Sequence, residues 1–167
     1  MYFDFSKEQY MARDSAREFL AQHMPTSRLR RLLETDAGFD HGVWKGLADL
    51  GWTAVLVPEA HGGLGLGFLD LALLVEESGR ALLPGPLVET AVMFPVAMRA
   101  ADPDQRRRWL PAVASGDVLA TMALAGPEGW PLPAGIAAQA RPGGGEWVLD
   151  GEALLVPFGQ LAQVVLV

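Results

Sequence analysis

The chain contains no cysteine among its 167 residues. That absence excludes a disulfide scaffold, a thiolate zinc site and a cysteine nucleophile together, and it accords with a reducing compartment. Positive charge is also scarce, with 13 Lys and Arg against 20 Asp and Glu, a formal net charge of -7. Such a surface repels phosphate backbones, so nucleic-acid binding is not expected, although a local basic patch can still receive a small anion. Half of the chain is hydrophobic, yet no apolar run approaches the roughly 18 residues a membrane span needs. The opening MYFDFSKEQY is acidic and amphipathic rather than basic and then apolar, and does not read as a secretory signal. The cytoplasm is the expected location. A chain of this length buries a sizeable core without metal or crosslink.

What is present is mainly helical patterning. Ser6 and Gln9 have capping-box spacing, and Tyr10, Ala12, Ala16, Phe19 and Leu20 recur at helical intervals until Pro25. A short basic helix is predicted around Ser27 to Glu34, with Leu29, Leu32 and Leu33 on one side. Asp40 caps a third helix carrying Val43, Trp44, Leu47 and Leu50, and Gly51 sits where a helix-ending glycine belongs. A fourth helix is predicted from about Phe68 to Leu83 and a fifth from about Pro86 to Ala100. The sixth opens at Asp102-Pro103-Asp104-Gln105 and ends near Gly116.

Beyond Gly116 glycine and proline become frequent and short β-type runs replace the helical period. They are Val118 to Leu124, Ile136 to Ala140, Trp147 to Leu149 and Gln163 to Val167, with RPGGGE at 141–146 as a hairpin turn. The expected fold class is therefore mainly α: an up-down helical domain of about six helices over residues 1–117, then an incomplete antiparallel β-domain over 118–167. The final run ends at the chain terminus, and a sheet of so few short strands is not expected to stand alone.

Individual motifs carry less than they first suggest. Gly62-Gly63-Leu64-Gly65-Leu66-Gly67 lacks G-x-G-x-x-G spacing, because the third glycine falls on Phe68 or Asp70. It reads as a conformationally demanding helix–helix loop rather than a phosphate loop. His23, His41 and His61 have no ligand-spaced partners, so no metal is expected, and no G-x-S-x-G elbow occurs. Glu76 and Glu77 point about 100° apart on a helix, so they make no paired-carboxylate site by themselves. An exposed acidic face with Arg80 four residues after Glu76 is the expectation, with one glutamate facing inward as the alternative. Arg106-Arg107-Arg108 before Trp109 reads as a solvated face or as an anion or partner contact.

The order of the pieces is more specific than any one of them. D-F-S-x-E-Q, V-W-K-G-L-A-D-L-G-W at 43–52, V-P-E-A-H-G-G-L-G-L-G at 57–67 and V-E-E-S-G-R-A-L-L-P-G-P-L at 75–87 follow in turn. R-W-L-P-A-V-A-S-G at 108–116, V-L-D-G at 148–151 and Q-V-V-L-V complete the series. This series resembles the acyl-CoA dehydrogenases, and A-L-L-P-G-P looks most like actinobacterial members acting on steroid or other bulky acyl-CoA substrates. The resemblance implies FAD-dependent α,β-desaturation of an acyl-CoA thioester. It also implies a homo- or hetero-oligomer containing acyl-CoA dehydrogenase subunits. In the family a C-terminal four-helix domain supplies the glutamate that removes the α-proton. No such residue lies in these 167, so no catalytic base is assigned.

The resemblance also locates two flavin-facing segments. Where the family reads roughly L-T-E-P-x-A-G-S-D, this chain has Leu124-Ala125-Gly126, with Ala125 at the hydroxyl position and Gly126 at the acidic one. Where it reads G-x-K-x-W-I-T, Leu155 replaces the aromatic residue and Pro157 the hydroxyl. Leu124, Ala125, Leu155 and Pro157 are thus degenerate cofactor positions. Loss of two hydrogen bonds and an aromatic face weakens flavin affinity by roughly 100-fold or more. The acyl chain is expected against the glycine loop and fourth helix, near Leu73, Leu74 and Glu77. The alternative to an enzyme in its own right is a non-flavin partner subunit of a heteromeric dehydrogenase.

Overall fold

A computed structural model describes residues 4–126 and 138–167. Helix α1 (Lys7–His23) starts at the expected box, Gln9 N–H donating to Ser6 Oγ and Ser6 N–H to Gln9 Oε1. The Gln9 amide also donates to Asp70 Oδ1 at 2.8 Å, fixing the start of α1 to the first turn of α4 (Phe68–Arg80). Between them lie α2 (Thr26–Leu33) and α3 (His41–Asp49), the latter capped by Asp40 as expected. One hydrophobic cluster unites the inner faces of these helices through Ala16, Leu20, Trp44, Leu47, Leu71 and Leu74.

The fourth helix is shorter than the sequence suggests. It stops at Arg80 because Pro84 follows closely and disfavours helical backbone before it. Leu82 takes a left-handed φ of 54°, and Leu83 N–H closes the end on Ser78 O. The fifth helix also departs from expectation. A π-turn at Glu89–Met93 leads into only one regular turn, α5 (Phe94–Ala97), with Phe94 N–H donating to Glu89 O. Pro95 has no N–H to give the preceding turn, and the wider register accommodates its ring. Helix α6 (Pro103–Ala114) opens on the Asp102–Gln105 capping box.

A second cluster, including Val57, Phe94, Met98, Leu110, Val113 and Ala120, joins α5 and α6 to strand β1 (Ala120–Met122). Strand β1 pairs in parallel with β4 (Val164–Leu166), whereas an antiparallel sheet was expected. More than forty residues separate the two strands, enough for the crossover that parallel pairing requires. Strands β2 (Gln139–Gly143) and β3 (Glu146–Asp150) form an exposed antiparallel hairpin. Its turn narrows to Gly144-Gly145, both at positive φ, so Arg141 to Gly143 are strand rather than turn. Of the run predicted at Ile136 to Ala140, residues 136 and 137 lie outside the described residues.

The glycine loop is held by backbone contacts. Leu64, Gly65 and Leu66 donate their N–H groups to Ala54, Val57 and Val55 carbonyls at 2.8–2.9 Å. Those donors are committed to the chain itself rather than turned outward toward a phosphate. Gly63 is required by space, since a Cβ there would stand 2.0 Å from Val57 O.

Candidate functional site

Two buried threonines build the site. Thr90, in the π-turn, donates to Ala120 O at 2.7 Å and accepts from Ala120 N–H at 3.1 Å. It satisfies the edge of β1 that faces away from β4. Thr121, one residue along, donates at 2.7 Å to Pro157 O and secures the second flavin-facing segment to the first. Leu154 N–H donates to Ala125 O at 2.7 Å and completes the link. The chain after β1 and the chain after Gly151 are therefore fixed side by side against the π-turn.

Between them lies a cavity of about 300 Å³ lined by Glu89, Met93, Met122, Leu124, Ala125, Leu155 and Pro157. All four sequence-identified cofactor positions are on its wall. Glu89, Met93 and Met122 were not read from the sequence. Met122 was within reach, since it alternates with Leu124 along the strand and faces the same side. Glu89 and Met93 are brought there by the π-turn, which the helical period does not reveal. Leu155 is 80% exposed and has a left-handed φ of 53°, so it rims the cavity rather than closing it.

The three acyl-site candidates lie elsewhere. Leu73, Leu74 and Glu77 are all buried on α4, and Leu74 belongs to the main helical core. Glu77 is 2% exposed, and its carboxylate receives Arg17 at 2.5 and 3.1 Å and Arg80 at 2.6 Å. The hydrogen bond from Arg17, with that from Arg80, outweighs burial and holds the carboxyl at about 2. Arg80 thus pairs with Glu77, not with Glu76 as expected, and only Glu76 remains on an exposed face. Glu77 is the inward glutamate, and two guanidiniums close it off from any pocket base. Leu73 is buried, and Leu74 also lines a cavity of about 130 Å³ beside Leu64 and Leu66 of the glycine loop.

The family profile described as "Acyl-CoA dehydrogenase, N-terminal domain" matches residues 6–117. The chain belongs to this family. Among curated acyl-CoA dehydrogenases it is 32% identical to IpdE2 of Mycobacterium tuberculosis over 119 residues, 71% of this chain and 37% of the relative. It is likewise 32% identical to FadE12 of the same organism over 128 residues, 75% of this chain and 33% of the relative. The chain thus spans a third to two-fifths of the length of these relatives. A variant of the Tcur3481-Tcur3483 steroid ACAD superposes with a TM-score of 0.84 at 33% identity, covering 95% of this chain and 44% of that one. The ChsE4-ChsE5 complex from Mycobacterium tuberculosis superposes at 0.88 with 25% identity, covering 99% and 44%.

Acyl-CoA dehydrogenase structures with bound FAD occur among the neighbours, which makes the cavity's fit to a flavin the chemical question. A flavin ring presents a polar edge that needs hydrogen-bond donors, and an apolar face that needs a flat cover. Here the lining side chains are apolar apart from the Glu89 carboxylate. Pro157 has no N–H, and the adjacent Thr121 hydroxyl is already given to Pro157 O. The side chains present supply no hydrogen-bond donor to the polar edge of a flavin.

Proposed function

We propose that this chain serves a heteromeric acyl-CoA dehydrogenase as the subunit that does not hold the flavin. The assembly carries out α,β-desaturation of a bulky, steroid-type acyl-CoA thioester in the cytoplasm. The observation that carries this reading is the cavity at the flavin-facing positions, intact in its backbone framework yet without a side-chain donor for the flavin's polar edge. Support for a two-component assembly comes from the likeness to structures described as the Tcur3481-Tcur3483 steroid ACAD and the ChsE4-ChsE5 complex. Those names also suggest the substrate class.

The test is restoration. The combined substitutions Ala125→Thr, Leu155→Trp and Pro157→Thr return two hydroxyls and an aromatic face. The altered chain is expected to bind FAD at least tenfold more tightly than the natural one, about 1.4 kcal/mol. Equal affinity in the two chains sinks the reading that these positions set the loss.

A further inference from the structure

The basic run on α6 is divided by the structure into three different environments. Arg107 pairs with Asp104, and the Arg108 guanidinium lies 4.4 Å from the Trp109 ring centroid. Arg106, half-buried, does neither. It lines a cavity of about 400 Å³ between the glycine loop, the end of α5 and the start of α6. The cavity's apolar wall includes Leu66, Pro95, Met98 and Leu110, and its polar groups are Arg99, Arg106 and His61.

Both arginines lack a carboxylate within ion-pair distance among the described residues. The acids of α6 are committed elsewhere. Asp102 accepts the backbone N–H groups of Asp104 and Gln105, and Asp104 takes Arg107. Glu59 lies against Gly65 and pairs with neither arginine. Arg99 instead lies over the Phe68 ring, 6.0 Å from its centroid, which holds it beside the loop. In a chain of net charge -7, two guanidiniums without acids on one apolar concavity form a local electropositive site. Guanidinium is also the group whose planar fork best matches an oxyanion.

We infer that this cavity binds a small amphipathic anion. Its apolar body lies against Leu66, Met98 and Leu110, and its carboxylate or phosphate head meets Arg99 and Arg106. A volume of about 400 Å³ with an apolar floor and few polar groups suits a small molecule better than an extended acidic protein segment. The site is separate from the flavin-side cavity and shares no lining residue with it. Successive turns of one helical segment serve the two, Glu89 and Met93 on one side and Pro95, Met98 and Arg99 on the other.

Methionine-methyl NMR on the full chain separates the two cavities, because Met98 lines one and Met93 and Met122 the other. Titration with decanoate is expected to move the Met98 methyl and leave Met93 and Met122 in place. Decanol, which keeps the apolar body without the charge, is expected to bind at least tenfold more weakly. Decyl phosphate identifies the head, since the tighter of the two anions names the preferred oxyanion. Arg99→Gln and Arg106→Gln, both at least partly solvated positions, are each expected to weaken the preferred anion about fivefold or more with an unchanged melting midpoint. Equal binding of decanol, a response at Met93 and Met122 instead of Met98, or unaltered affinity in both folded variants overturns the inference.

Discussion

Glu77 shows how much one residue depends on partners distant in sequence. Its carboxyl falls from an ordinary 4.5 to about 2 because Arg17 and Arg80 hydrogen-bond its charged form. A depressed carboxyl contributes its full stability above the unfolded value and loses it as the pH falls through the folded one. Denaturant midpoints are therefore expected to fall between about pH 5 and pH 2, and Glu77→Gln is expected to flatten that part of the profile. At neutral pH the same substitution is expected to cost about 2 kcal/mol. Gly63→Ala acts through space instead: the new methyl meets Val57 O and displaces the loop's own hydrogen bonds, at about 3 kcal/mol by chemical denaturation. The loop's demand for glycine was legible in the sequence. The pairing of Glu77 with Arg17 was not, because Arg17 stands 60 residues away and no local pattern joins them.

At the scale of elements, the helices with strong caps were the legible ones. Ser6, Asp40 and Asp102 each mark a start that the structure keeps, since a cap is a local hydrogen bond between near neighbours. The π-turn was not legible, because it depends on how Pro95 and the packing of Phe94 share one helical segment. Nor does the composition of a strand encode its partner's direction, so the parallel pairing of β1 with β4 emerges only in the fold. Thr90 links these two unread features. Thr90→Val keeps the shape but leaves the buried Ala120 N–H and C=O without the hydroxyl, at an expected cost of about 2 kcal/mol. Amide exchange at Ala120 is expected to accelerate at least tenfold, while that of Leu20 in α1 moves only with global stability.

For the whole molecule, the family's ordered motifs located four of the seven cavity residues before any coordinates. Leu124, Ala125, Leu155 and Pro157 come from two segments about thirty residues apart, and Thr121 and the Ala125–Leu154 bridge bring them together. The acyl-site candidates do not line that cavity: Glu77 is held by Arg17 of α1 and by Arg80, and Leu74 sits in the main helical core beside the glycine loop. What results is a dehydrogenase framework whose cavity at these positions carries no side-chain donor for a flavin's polar edge. The most direct measurement is the visible flavin absorbance of the purified chain, alone and after co-expression with an acyl-CoA dehydrogenase sister subunit. The chain alone is expected to be colourless, with flavin and desaturase activity only in the co-purified assembly. Stoichiometric FAD on the isolated chain contradicts the account.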